Sequence, residues 1–287
     1  MYKFNKGTYS SSIYGSTAEE NVRYITNENF IETNHSNFLS LAIPNFSRMF
    51  SNISDYISNA FSSSNCKELE SYTKDQQRII NGLKNRNFAE LSDVLVPVPE
   101  NFKGNYIAYL KDLEPIVKNS MVSCLNNINE FRNYISLFMS TSDYKTNVKD
   151  FTKKYKDLEF YRNSCVKTLN KYFPKDTSSS RTMLKNVVDR VADFNEIFTI
   201  TNRLNGIIKS VNVGKIQEAV NDCYNVLNMI SNNLDKDSSS ISKEAAKNLS
   251  VGSYEVAKYV EFVASLYFDT VTAVKSAINM GDILLID

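Results

Sequence analysis

The chain of 287 residues carries 33 Lys and Arg against 32 Asp and Glu, so its formal net charge is +1. Balanced charge is not typical of a protein dedicated to nucleic acids. The single histidine and eight glycines disfavour His-based metal sites and glycine-rich phosphate loops. A hydrophobic content of 42%, with 17 Phe and 17 Tyr, is enough to build a sizeable core.

The first segment, residues 1–16, is predicted to be an extended arm. It has no helical periodicity and no acidic residue, and four aromatic side chains stand among its Ser and Gly residues: Tyr2, Phe4, Tyr9 and Tyr14. Such an arm frays unless it is held. These aromatics are therefore candidate interface residues, which pack either on the chain's own body or on a neighbouring subunit.

The chain shows no targeting or membrane signal. Its N-terminus lacks the apolar centre of a signal peptide, and it has no run of about 18 apolar residues that could form a transmembrane helix. We therefore expect an intracellular, cytoplasmic protein with no transmembrane segment.

Residues 17–96 are predicted to form a region of short helices. Ser16 and Glu19 make a capping-box pattern, and Pro44 stands where a helix can begin, with apolar residues following at spacings of three and four. Further helices are predicted near 66–84 and 87–95. The prolines of the Val96-Pro97-Val98-Pro99 sequence force extended backbone, so residues 97–104 are interpreted as a linker.

From residue 105 onward the apolar spacing predicts long helices. The tract 105–140 has a kink or break expected at Pro115, and the heptad-like helix that follows is interrupted by Arg162 in its apolar seam. Three more helices are predicted, over 184–211, over about 22 residues after Gly214, and from Ser240 as N-cap to Met280. Short turns between long helices favour antiparallel neighbours. The predicted fold is all-α, an elongated antiparallel bundle over 105–281 with a smaller N-terminal helical region.

The tail 282–287 is the second candidate interface. Gly281 is expected to end the last helix, which leaves four consecutive aliphatic residues beyond it: Ile283, Leu284, Leu285 and Ile286. Apolar surface left in water is unfavourable. The tail therefore either folds back onto its own bundle or adds to a neighbouring subunit as an extended segment or a sheet edge.

The search for catalytic chemistry finds no recognisable set of residues. The sequence has no Walker loop, no HExxH pattern and no nucleophile elbow. Glu244, Glu255 and Glu261 are interpreted as ordinary solvated positions. Four cysteines without metal spacing are interpreted as core residues: Cys66, Cys124, Cys165 and Cys223. We therefore predict that the chain is not an enzyme and holds no cofactor and no metal.

A basic helix face is the one charged feature above background. Lys145, Lys149, Lys153 and Lys156 recur at spacings of three and four, and with Lys154 they are candidate phosphate contacts. The alternative interpretation is a solvated face that is stabilised by pairing along the helix.

Together these patterns favour a non-enzymatic structural or assembly protein, a helical spacer or scaffold whose ends dock on neighbouring subunits. In its long helices, its composition and its terminal segments the chain resembles structural and assembly proteins of large tailed phages. The resemblance implies protein partners, a homo-oligomer or larger assembly, and a place in a virus particle. Two alternatives remain, a nucleic-acid-binding module that uses the basic face and a helical membrane-active effector.

Overall fold

The computed structural model describes residues 31, 38–60, 63–140, 152–174, 179–233 and 242–286. The predicted all-α class is confirmed, since the described residues form eight α-helices and two three-residue strands. In chain order these are α1 (Phe38–Ala60), α2 (Ser63–Leu83), α3 (Phe88–Leu91), β1 (Leu95–Pro97), α4 (Tyr106–Ser140), α5 (Thr152–Asn170), β2 (Arg181–Met183), α6 (Asp193–Ser210), α7 (Val213–Asn233) and α8 (Lys243–Ile286).

Helix α8 lies at the centre of the bundle. Its 44 residues span about 66 Å at 1.5 Å per residue, and it packs against α1, α2, α4, α5, α6 and β1. Close approach depends on two glycines: a Cβ at Gly252 would meet the rings of Tyr155 and Phe131, and one at Gly281 would meet Ile79. A helix that is apolar on most of its sides is buried in this way.

Helices α4 and α5 form an antiparallel pair against α8. Contacts along the pair join Asp112 to Tyr172, Ser120 to Tyr161 and Glu130 to Lys154. The partner numbers fall on α5 as they rise on α4, as expected for neighbours joined by a short connection.

Helix α1 packs along α7 and joins the same core. The Ser54 hydroxyl donates to Asn221 Oδ1 at 2.7 Å, and the Phe50 ring stacks on Phe131 of α4 with centroids 5.5 Å apart. Residues before and after 97–104 therefore contribute to one hydrophobic core. The N-terminal helices are also longer than the short helices predicted there.

Two prolines lie inside helices rather than at their ends. Helix α1 begins at Phe38, six residues before Pro44, and α4 runs without a break through Pro115. The prediction of a helix start at Pro44 was therefore wrong, and so was a break at Pro115. Each proline removes one helical hydrogen bond, but buried side chains on both sides keep the helix continuous: Phe38, Leu39, Phe46, Leu113, Ile116 and Val117.

The segment interpreted as a linker is packed. β1 pairs antiparallel with β2, with Leu95 opposite Met183 and Pro97 opposite Arg181, whereas the sequence predicted no strand here. Val98 and Phe102 are buried. The prolines do set extended backbone, and that backbone is used for strand pairing. The division of the chain at 97–104 stays a prediction.

The helix predicted over 184–211 begins later, at Asp193. The carboxylate of Asp193 accepts backbone N–H bonds from Asp189 and Arg190. These bonds hold residues 189 and 190 in a turn before the helix and offer them an alternative to helical bonding. Residues 184–186 form a short 3-10 turn instead.

Candidate functional site

The densest polar arrangement lies where α4, α5 and α8 meet. Arg162 of α5 and Glu255 of α8 form an ion pair with 3.1 Å between Nη2 and Oε2, and their side chains are 17% and 7% exposed. The sequence interpretation of Glu255 as a solvated residue was therefore wrong. Within the described part of the chain the buried Nε of Arg162 has no hydrogen-bond partner.

Burial raises the pKa of Glu255 to about 7, and the nearby Glu159 carboxylate adds to this while Arg162 and Lys258 oppose it. A carboxyl group with this pKa exchanges its proton near neutrality. Chemically, the pair can hold or release one proton between two packed helices.

Four hydroxyl groups continue the polar arrangement beside this pair. The Ser120 hydroxyl lies 3.1 Å from the Tyr161 hydroxyl, the Ser123 hydroxyl lies 2.6 Å from that of Tyr259, and Tyr259 also donates to the Ser120 carbonyl. Burial raises the pKa of Tyr161 to about 12 and that of Tyr259 further above its usual value. Both phenols therefore stay protonated and take part in hydrogen bonds between helices, in which Tyr259 donates to α4.

A second cluster ties the other end of the α4–α5 pair. The Lys171 ammonium and the Tyr172 hydroxyl each lie 2.6 Å from Oδ2 of Asp112. Partial burial raises the pKa of the Asp112 carboxyl, but the hydrogen bonds from Lys171 and Tyr172 outweigh this and hold it below its usual value. The cluster keeps Asp112 ionised and fixes it to the turn that follows α5.

The structure describes only some of the residues of the predicted basic face. Lys145 and Lys149 lie outside the described residues, whereas Lys153 and Lys156 are exposed on α5. Lys154 forms an ion pair with Glu130 of α4, so its charge is engaged within the chain. Of the candidate phosphate contacts, two described lysines remain on the outer face of α5.

The two candidate interfaces have different outcomes. Tyr2, Phe4, Tyr9 and Tyr14 lie outside the described residues. The tail does not begin after a helix end at Gly281, because α8 continues through Ile286. This helical conformation contradicts one of the two predicted alternatives, in which the tail adds to a neighbouring subunit as an extended segment or a sheet edge.

The last turn of α8 packs on α2 of the same chain. Leu284 is fully buried, Ile283 is half-buried and Ile286 is 84% exposed. Leu285 fits against Gly82, where any side chain would collide with it. Arg78 binds Asp282 at 2.5 Å, and Arg86 donates to the carbonyl of Leu284 at 3.1 Å. This is the fold-back alternative of the sequence analysis.

Large apolar side chains remain exposed on the outer faces of α4 and α5. Phe160 is 77% exposed, Val122 is 70% exposed and Leu137 is 50% exposed. The sequence analysis missed Phe160, although it stands beside the seam position of Tyr161 and cannot share its buried side. The burial of Glu255 also had a signal, because Arg162 in an apolar seam requires an acidic partner on a facing helix.

The described residues were also compared with the requirements for a metal site, for reactive or paired cysteines and for a membrane-spanning helix. Among them no group of three or more His, Cys, Asp or Glu is arranged to hold a metal ion. The thiols of Cys124, Cys165 and Cys223 are free and buried, as predicted, whereas the fourth predicted core cysteine, Cys66, has a side chain outside the described part of the structure. No helix in the described ranges is both long and apolar enough to span a bilayer.

Comparison of the chain with protein-family models, with curated proteins and with solved structures finds no match. Its function is therefore inferred from its own residues.

Proposed function

We propose that the chain is a non-enzymatic structural protein, a helical scaffold that joins a larger assembly through contacts with other protein subunits. The observation that carries this proposal is the central position of α8, which packs against five helices at once. Moving any one of them disturbs contacts with a shared core, and close-packed interiors resist such movement. The bundle therefore has the stiffness that a spacer needs.

The use of charged residues supports the same proposal. Ionisable side chains join one helix to another, at Arg162–Glu255, Arg132–Asp222 and Arg203–Glu114. The Arg203–Glu114 pair is bidentate, with nitrogen to oxygen distances of 2.7 and 2.8 Å. Such pairs fix the register of neighbouring helices more than they stabilise the fold.

In this proposal the arm of residues 1–16 docks on neighbouring subunits. The tail packs on its own bundle, apart from the exposed side chain of Ile286. A more specific version of this proposal is that the protein is a component of a tailed-phage virion. It rests on the long helices, the composition and the aromatic arm. Protein partners, including further copies of this chain, follow from it.

The mass of the protein in solution tests the proposal. Light scattering on a size-exclusion column compares the full chain with a variant that lacks residues 2–16, and circular dichroism checks that helicity is retained. We expect a defined oligomer that the deletion reduces to monomers. A full chain that stays at 32.7 kDa at high concentration would count against self-assembly, and an oligomer that survives the deletion would count against the arm.

A further inference from the structure

The outer face of α5 combines one exposed aromatic residue with exposed lysines. Phe160 is 77% exposed, and Lys153, Lys156 and Lys167 are exposed on the same helix. Their positions, at four and seven residues before Phe160 and seven after it, place all four on one side of the helix. We call this stripe, together with Val122 of α4, the α5 face.

Val122 is an exposed apolar residue of the neighbouring helix α4. Its side chain is 70% exposed. The hydrogen bond between Ser120 and Tyr161 sets the register of the antiparallel pair. Val122 follows Ser120 by two residues and Phe160 precedes Tyr161 by one, so both apolar side chains lie at the same level. An exposed aromatic side chain with charged residues around it is typical of the anchors of protein interaction sites.

Charge decides which occupant fits. If a second copy docked its own α5 antiparallel about a two-fold axis at Phe160, Lys153 of one copy would lie opposite Lys167 of the other. Like charges placed opposite one another are unfavourable. The complementary occupant places an apolar side chain against Phe160 and carboxylates further along the same side, in both directions, against the lysines.

A nucleic acid fits the same surface less well. Asp157 and Glu159 are exposed on the flanks of the stripe and would repel a phosphate backbone. Exposed Val122 offers nothing to a phosphate, whereas an apolar side chain of a protein can cover it. A protein helix can also place a polar or basic side chain against Asp157 or Glu159.

We propose that the α5 face binds an acidic amphipathic helix of a partner protein, with Phe160 as the central anchor and Lys153, Lys156 and Lys167 as the groups that pair with its carboxylates. The partner helix lies along the outer surface of the α4–α5 pair, in the manner of an amphipathic helix docked by its apolar side. This inference rests on the proposed function only in that both treat the chain as a protein-binding scaffold.

Binding of designed peptides to the full chain tests the inference. The probe is a fluorescent synthetic helix with Leu at the centre of one stripe, Glu one and two turns away from it on the same side, and Gln at the positions that meet Asp157 and Glu159. A charge-reversed peptide with the same Leu stripe, a single-stranded DNA of random sequence and vesicles of anionic phospholipid are measured beside it. We expect the acidic helix to bind best and its affinity to fall with added salt.

Substitutions at exposed positions leave the fold intact and show whether peptide binding depends on Phe160 and on the lysines. Phe160→Ser should weaken binding of the acidic peptide about tenfold or more, as expected for a central anchor. Replacing all three lysines by Glu should transfer the preference to the basic peptide. Met229→Ser, at a residue of α7 that is 51% exposed, is the matched control and should leave the affinity unchanged.

Three results would overturn the inference: no binding of the acidic peptide, equal binding by Phe160→Ser, or tighter lysine-dependent binding of the DNA or the vesicles. The measurement of mass in solution separates this inference from the proposed function. A defined oligomer without peptide binding refutes the α5 face alone, and peptide binding by a monomeric chain refutes self-assembly alone.

Discussion

Helices α5 and α8 pack against each other, yet α8 is covered on almost every side and α5 is covered on a single side. Helix α8 places small residues such as Gly252 and Gly281 at its contacts, so neighbours approach it from several directions. Helix α5 presents long side chains outward, with Lys153, Lys156 and Phe160 exposed. The comparison shows that the distribution of small side chains, and not apolar spacing alone, decides how many neighbours a helix can take.

The largest expected effect contrasts one phenylalanine on each helix. Phe262 of α8 is 1% exposed and Phe160 of α5 is 77% exposed. Phe262→Ala should lower the free energy of unfolding by about 3–5 kcal/mol because it leaves a cavity in the core. Phe160→Ala should change it by less than about 0.5 kcal/mol. Urea denaturation measures both, and similar losses would remove the distinction between the two helices.

The ion pair that joins the two helices makes stability depend on pH. Because the pKa of Glu255 is raised to about 7 from 4.5, the folded state binds its proton more tightly than the unfolded state. The contribution of this group is fully present below about pH 4.5 and is lost as the pH rises through 7, by on the order of 3 kcal/mol.

Glu255→Gln should remove that dependence, because the amide is neutral throughout and its oxygen can still accept from Arg162. Thermal unfolding measured from pH 5 to pH 8 tests this expectation. The control is Glu244→Gln, in the exposed first turn of the same helix, which should leave the slope in place. Equal slopes for the wild type and Glu255→Gln would contradict the role given to this carboxylate.

The end of α8 offers a smaller contrast within one helical turn. Leu284→Ala should cost about 2–3 kcal/mol, since the side chain is fully buried against the bundle and a helix end can relax in part. Ile286→Ala, at 84% exposure, should be nearly neutral. Chemical denaturation of both variants checks this. An oligomer lost in Ile286→Ala without any loss of stability would show that the tail also docks between subunits.

The smallest effect concerns the glycines. Gly252→Ala should destabilise the fold by about 1–3 kcal/mol, because its Cβ would lie 2.7 Å from the Tyr155 ring and overpacking strains neighbours. Gly206→Ala, with open space around the added methyl, should instead stabilise α6 by roughly 0.5–1 kcal/mol. Melting temperatures of the two variants should shift in opposite directions, and a shift in the same direction would argue against close packing at Gly252.

Much of the helical architecture could be predicted from spacing alone. The tract 105–140 agrees with α4, and the helix predicted after Gly214 agrees with α7, because each has one apolar face and clear polar ends. The start of α6 could not be predicted, because it depends on the carboxylate of Asp193 bonding backward to the chain. The short strands could not be predicted either, since the central paired residues of β1 and β2, Val96 and Thr182, are 86 positions apart and no local pattern records that pairing.

The candidate site was predictable only in its parts. Arg162 was recognised as an interruption of an apolar seam, but its partner lies on another helix, and choosing Glu255 among the acids of α8 requires the rotation of that helix. Lys153 and Lys156 were expected on the outside and are exposed. The packing of Leu285 depends on Gly82, a residue about 200 positions away in the sequence.

The position of α8 in the sequence has a consequence for synthesis. The helix that the others share is translated after all of them, so at about 5–20 residues per second its 44 residues take roughly 2–9 s to make. During that interval the apolar faces of α1, α4 and α5 have been made but lack the surface that covers them. The nascent chain is then open to association with chaperones or with other incomplete chains, and the shared core closes only once α8 has been made.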